Sequence, residues 1–278
     1  MPGRPPVGPR AKREDVNWSM GHRLALCCVL LAALAFTPAA RADAPVIAAA
    51  SDLQFALVEI AEAFAAETGE PVELSFGSSG NFARQIRQGA PYQMYLSADE
   101  RFVLDLHADG FTRDDGALYA VGRIVIFSPH GSPLEADGQL DDLAAALDDG
   151  RLSRFAIANP EHAPYGMAAE QALRHRGLWD AITPTLVFGE NVSQAAQFAA
   201  TGNTDGGIIA YSLALSPQVA ARGAYDLIPE TWHAPLRQRM VLLENAGPVA
   251  ERFHGYLQAP AAQEILRRNG FAPPDEGN

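Results

Sequence analysis

Cysteine and lysine are nearly missing from this chain. Of 278 residues two are cysteine, Cys27 and Cys28, and Lys12 is the only lysine. All three precede residue 43. The chain beyond that point can form no disulfide, no thiolate metal site and no cysteine nucleophile. Without lysine it runs no Schiff-base chemistry and cannot build the phosphate-binding loop that needs one. The seven histidines show no H-x-x-x-H or H-E-x-x-H spacing, and no G-x-S-x-G elbow occurs. The zinc-protease and α/β-hydrolase signatures are therefore absent. Long apolar runs are lacking too. The most apolar stretch, LALCCVLLAALAF at residues 24–36, has 13 residues, short of the roughly 20 that span a bilayer.

That stretch has another meaning. Arg23 precedes it and Ala40-Arg41-Ala42 follows, the order of charged, apolar and small-residue regions in a secretory signal peptide. Residues 1–42 are read as that signal, with cleavage after Ala42. A membrane anchor fits less well, because the run is short and the cleavage pattern clean. Translation begins at Met1 or at Met20. Leu24-Ala25-Leu26 puts no small residue beside Cys27, which argues against a lipid-modified cysteine. Residues 1–42 hold six of the 21 Lys/Arg and two of the 33 Asp/Glu, so the remainder keeps 15 basic and 31 acidic residues, a net charge of −16. So acidic a protein does not seek nucleic acid or anionic lipid. Its stability must come from packing, which a remainder of about 236 residues can supply.

What is present is a repeated pattern. An apolar, partly β-branched run ends in small or polar residues, and an amphipathic helix starts there. Val46-Ile47-Ala48-Ala49-Ala50 leads into Ser51-Asp52, followed by Leu53, Leu57, Ile60 and Phe64 at helical spacing and by Gly69 as the stop. Residues 72–76 lead into Gly77-Ser78-Ser79-Gly80 and a helix bearing Phe82 and Ile86. Residues 155–158 lead through Asn159-Pro160-Glu161-His162 to a helix over 167–175, with Pro164 suited to its first turn. Residues 185–188 lead to Glu190-Asn191-Val192 and a helix over 193–200. Further strands are predicted at 94–97, 124–127, 207–211 and 240–243, further helices at 246–257 and 260–269, and a disordered tail from Ala272. This alternation predicts an α/β protein with mostly parallel sheets flanked by helices. Its grouping predicts two lobes, residues 43–120 with 237–278, and residues 121–236. Ligands of such sheets bind beyond the carboxyl ends of the strands, so all four helix starts should face one cleft.

Gly77-Ser78-Ser79-Gly80 alone reads as an ordinary turn with a serine N-cap, and Ser51 reads the same way. Fourfold recurrence changes the weighing. Each helix start carries about half a positive charge and several orphan N–H donors. Four of them converging would bind an anion without any formal cation. His162 reads as a capping or surface histidine. Ser51-Asp52 with a distant histidine lacks the arrangement of a hydrolase triad.

The segments AAASDL, FGSSGNFARQI, GAPYQMYLSAD, NPEHAPYGMAAEQAL, ENVSQA, GGIIAYS and APAAQEILRRNGF resemble, in order and spacing, those of the periplasmic molybdate-binding proteins of ABC importers. The resemblance covers residues 45–271. It implies the two-lobed class II periplasmic binding protein fold, with molybdate or tungstate bound in the interlobe cleft. It also implies no cofactor and no catalytic residue, a monomer in the periplasm, and the membrane permease of an importer as partner. Molybdenum would enter only as an oxyanion, with no direct bond from protein to metal. Carried over by position, Ser51 and Ser79 are the hydroxyl donors and Tyr165 and Val192 supply backbone N–H groups. Asp52, Ser78, Asn191 and Tyr211 are secondary candidates.

Two departures stand out. A tyrosine donor common in the family aligns with Ala210, and Tyr211 comes one residue later, on the opposite face if the strand continues. Either a local shift brings Tyr211 in, or Tyr165 or Asn191 takes over. Asp52 would repel a dianion, so its N–H is expected to face the ligand, with its side chain capping or turned away. The site is expected to be rich in donors and poor in acceptors, which disfavours hydrogen phosphate and leaves sulfate to be excluded by size. Two other readings remain: the same fold for sulfate, phosphate or an organic anion, and a phosphate-ester hydrolase drawing on His162 or Asp52.

Overall fold

The computed structural model describes Gly3 and residues 44–274. The expected signal peptide, apart from Gly3, lies outside the described residues, as do both cysteines, Lys12 and residues 275–278. The chain opens with strand β1 (Val46–Ala50), a 3-10 turn (Ser51–Leu53) and helix α1 (Gln54–Thr68). Gly69, at φ 74°, ends α1 in the left-handed conformation that side chains resist. There follow β2 (Glu73–Gly77), α2 (Ser79–Arg87), β3 (Met94–Ser97), α3 (Glu100–Ala108) and β4 (Ala117–Gly122). Past Arg123 come β5 (Ile124–Pro129), α4 (Asp141–Asp148), β6 (Phe155–Ala158), α5 (Pro164–His175) and α6 (Trp179–Ile182). Next are β7 (Leu186–Gly189), α7 (Val192–Ala200), β8 (Gly206–Ala210), α8 (Tyr211–Ala214), α9 (Pro217–Ala220) and β9 (Gly223–Leu227). The chain ends with β10 (Leu236–Leu242), α10 (Pro248–Leu257) and α11 (Pro260–Arg268).

The strands form two five-stranded sheets, ordered β2-β1-β3-β10-β4 and β7-β6-β8-β5-β9. In each, one strand runs antiparallel to its neighbours: β10 in the first and β5 in the second. These are the strands on which the chain enters a sheet from the other lobe. The two lobes thus repeat one plan, and the chain changes sheet at Arg123 and again between Leu227 and Leu236.

The inner strands explain the alanine-rich runs. Ala48, Ala49 and Ala50 of β1 and Ala156 and Ala158 of β6 are fully buried, and their small side chains let helices lie close. At Gly166, near the start of α5, a Cβ would meet the carbonyl oxygen of Ala158 at 2.2 Å, so only glycine allows that approach. Each lobe has its own core. In the first, Leu57, Ile60, Phe64 and Phe253 pack on one face of the sheet and Phe82, Tyr95, Val103 and Val241 on the other. In the second, Ile124, Phe127, Phe155 and Leu173 belong to one cluster.

Two expectations need correction. The strand predicted over 207–211 ends at Ala210, and Tyr211 opens α8, so the argument from alternating strand faces does not apply to it. Ala272, placed in a disordered tail, exchanges two backbone hydrogen bonds of 2.9 Å with Val121, which ties the C-terminal segment to the sheet beside the crossing point.

Candidate functional site

The carboxyl ends of β1, β2, β6 and β7 lead into the four chain segments singled out by their small and polar residues. In the fold they meet. Ala50, Ser51, Asp52, Gly77, Ser78, Ser79, Ala98, Ala163, Pro164, Tyr165 and Val192 line one small cavity. The lining comes from both lobes. The space open to a water-sized sphere is about 10 Å³, close to what a single water needs.

The two serine hydroxyls are prepared as donors. Ser79 Oγ accepts the N–H of Ala98 at 3.0 Å, and Ser51 Oγ accepts the N–H of Ser193 at 3.2 Å. With an oxygen lone pair so occupied, each hydroxyl proton is left to point at a guest. Ser79 and Ser51 are almost completely buried, which makes an unmet donor costly and a matching acceptor valuable. The backbone N–H groups of Ser79, Tyr165 and Val192 lie in the first turns of α2, α5 and α7, where a helix offers its own donors no acceptor.

Ser78 occupies the N-cap position of α2 but makes no side-chain cap bond; its Oγ instead lies 2.9 Å from His162 Nδ1 in the other lobe. The reading of a plain serine cap therefore fails. His162 is also not the capping or surface residue expected. Its side chain is 13% exposed, its carbonyl accepts the N–H of Gly80 at 2.9 Å, and its Nε2 sits 3.6 Å from Glu190 Oε2. Ser193 Oγ donates to Ser51 O at 2.8 Å, Ser212 Oγ donates to Asp52 O at 2.8 Å, and Asn81 donates to Glu190. Hydrogen bonds from residue to residue thus close the cleft around the cavity.

Asp52 makes no side-chain cap bond; its carboxyl is directed to Tyr165 and Gln238. It is 1% exposed, and its Oδ2 accepts from Tyr165 Oη at 2.9 Å and from Gln238 Nε2 at 2.6 Å. Oδ1 is buried with no hydrogen-bond partner. Burial pushes its pKa up to about 6, and the bonds from Gln238 and Tyr165 hold it back from rising further. Tyr165 and Tyr119 are pushed well above the usual tyrosine value, first by burial and then by the Asp52 charge, so both stay neutral donors. Asp52 is thus an ionisable residue within the lining of a cavity otherwise made of neutral groups.

Tyr165 was expected through its backbone; its hydroxyl also matters, because it orients Asp52. Asn191 does not line the cavity. It caps α7, accepting from the Gln194 N–H at 3.1 Å, and faces a wider groove that shares Ser51 with the cavity. Tyr211 is also outside the lining, its ring 4.8 Å from the guanidinium of Arg123. Among the described residues no group of three or more His, Cys, Asp or Glu is placed to hold a metal ion.

Gln238 is the site residue the sequence reading passed over. In LRQRMVL the alternate positions Leu236, Gln238 and Met240 are all buried. A glutamine at an inward position of a strand must find partners inside, and this one bonds Tyr119, Asp52 and Tyr165.

The profile of the bacterial extracellular solute-binding proteins matches residues 45–272. The chain is 34% identical to the molybdate-binding protein ModA of Azotobacter vinelandii over 255 residues, covering 91% of this chain and 99% of that one. It is 35% identical to ModA of Rhodobacter capsulatus, covering 77% and 82%. The solved periplasmic molybdate-binding protein of Azotobacter vinelandii superposes with a TM-score of 0.74 at 30% identity, over 83% of this chain and 99% of that one. With its two lobes, its buried interlobe cavity and a match running almost from end to end, the chain belongs to the bacterial extracellular solute-binding protein family.

Proposed function

We propose that this protein binds molybdate or tungstate in the interlobe cavity and delivers it to the membrane permease of an ABC importer, acting as a periplasmic monomer with no catalytic step of its own. The observation that carries this reading is the cavity. Two hydroxyls with their lone pairs engaged and the first turns of three helices surround one small interlobe space. Such a set suits a small tetrahedral anion carrying acceptors on every side. A hydrogen bond to a charged partner contributes about 1.5–3 kcal/mol net, so five of them supply roughly 8–15 kcal/mol before the costs of association. No arginine lines the cavity, whereas bulky phosphate esters commonly recruit arginine forks. The named ligand of the relatives supports molybdate over sulfate.

The hydrolase reading has one observation in its favour, the Ser78–His162 pair at 2.9 Å. Against it stands the lining of the cavity, which does not include His162. A turnover assay with generic phosphate esters is expected to give no product.

Calorimetric titration tests the main reading. Molybdate and tungstate should bind with similar affinity and sulfate and phosphate more weakly. Ser79→Ala should weaken molybdate binding by about 1–3 kcal/mol with unchanged circular dichroism. Equal affinity of the variant and the original protein would remove Ser79 from the donor set.

A further inference from the structure

Asp52 lines a cavity built for a dianion, and nothing around it supplies a positive charge. The groups that face its carboxyl are the Tyr165 hydroxyl from α5, the Gln238 amide from β10 and the backbone N–H groups of Asp52 and Leu53, with Tyr119 of β4 behind Gln238; the Ser212 hydroxyl from α8 bonds the Asp52 backbone carbonyl instead. The tyrosines are neutral, glutamine and serine carry no charge, and no arginine or histidine among the described residues hydrogen-bonds the carboxyl. A dianion beside an ionised Asp52 would place three negative charges together in a desolvated space, a repulsion that neutralising one group relieves.

We propose that the site captures its dianion together with one proton, held between Asp52 Oδ1 and an anion oxygen. This deepens the reading of the cavity as an oxyanion site and rests on it. The balance is simple: the Asp52 carboxylate takes a proton from the surrounding buffer and becomes a carboxylic acid, and its O–H donates to the bound anion. Oδ1 is the oxygen available for this: Oδ2 already accepts two side-chain donors, while Oδ1 meets no hydrogen-bond partner of good geometry and has only the backbone N–H groups of Asp52 and Leu53 near the carboxyl. Asp52 thereby turns from a repelling acceptor into a further donor, and it acts as a specificity-determining residue. A fully ionised anion such as molybdate must draw its proton from solution. Hydrogen phosphate brings its own.

The carboxyl of the empty site, raised by burial to about 6, sets the window. Above pH 6 it is largely ionised before binding and protonated after, so affinity for molybdate should fall with rising pH by up to about tenfold per unit. Below pH 6 the dependence on this group should vanish. Titrating molybdate at pH 7.5 in buffers of different ionisation enthalpy reads the proton directly. We expect uptake close to one proton per anion for the original protein and for Ser79→Ala. Asp52→Asn places a permanent donor where Oδ1 stood and should show no uptake, a flat profile from pH 6.5 to 8.5, and tighter binding than the original protein at pH 8.5. Molybdate binding to the original protein without proton uptake and without pH dependence would overturn this proposal alone. Failure of molybdate, tungstate and sulfate all to bind at pH 6 would remove the oxyanion reading and the proposal with it.

Discussion

At the scale of the residue, Asp52 links stability to function. Folding moves its carboxyl from 3.8 to about 6. A carboxyl raised by folding favours the folded state below about pH 4, where both states hold the proton, and that advantage is lost as pH rises through 6. At pH 8 the ionised, buried group costs about 3 kcal/mol at most. Asp52→Asn removes the titration while keeping an oxygen to accept from Tyr165 and Gln238. Thermal melts of the empty protein should therefore show the variant more stable at pH 8, by about 2–4 °C for each kcal/mol recovered, and indistinguishable at pH 4. An equal difference at both pH values would mean that packing, and not ionisation, separates them. Gln238 acts at the same scale: it gives Asp52 a bond of 2.6 Å and takes one of 2.6 Å from Tyr119, so its removal strands two buried partners.

At the scale of the element, the first turns of α2, α5 and α7 and the 3-10 turn after β1 do the recognising, and glycine controls how closely they approach. Gly80 is the second residue of α2. Its N–H donates across the cleft to His162 O, and a Cβ there would stand 2.7 Å from that oxygen and 3.0 Å from His162 Cβ. Both obstacles are on or next to backbone, so they do not yield cheaply. Alanine suits a helix better than glycine, by about 1 kcal/mol in an interior position. Gly80→Ala should thus leave the melting temperature of the empty protein unchanged or slightly higher. Its molybdate affinity should fall at least tenfold, about 1.4 kcal/mol, and small-angle scattering should report a wider molecule in the presence of ligand. Unaltered affinity would show that the α2 start need not come this close.

At the scale of the whole molecule, two lobes with separate cores are joined at Arg123 and by residues 228–235, and they meet across the cleft through polar groups. A ligand in the cavity adds further bonds to both lobes at once. At a free concentration one hundred times its dissociation constant, a ligand bound only by the folded state adds about 2.7 kcal/mol. For a body of this size that is roughly 5–11 °C in melting temperature. Thermal shift should give this rise for molybdate and tungstate alike. A rise confined to sulfate would keep the fold and the site but replace the cargo.

How much of this was legible beforehand follows from which signals are local. The four strand-to-helix junctions, the buried alanines of β1 and the serines at 51 and 79 could be read because each lies within a few residues of its own punctuation. Helices α3, α4, α6 and α9 and strands β4 and β9 were not anticipated; in α3 and β9 apolar residues are mixed with charged ones, as in ERFVLDLHA and GAYDL. Tyr211 was misplaced because nothing local marks the change from strand to helix at Ala210. Periodicity and the order of motifs in the chain were enough for the two α/β lobes and for the segments that start the site. The tertiary structure alone decided that Ser193 polarises Ser51, that His162 meets Ser78, and that Gln238 and Tyr165 hold Asp52, because each of these pairs joins residues at least 84 positions apart, up to 186 for Asp52 and Gln238. Local sequence sets which backbone donors exist; only the packing of one lobe on the other sets which of them share a desolvated space and what proton that space requires.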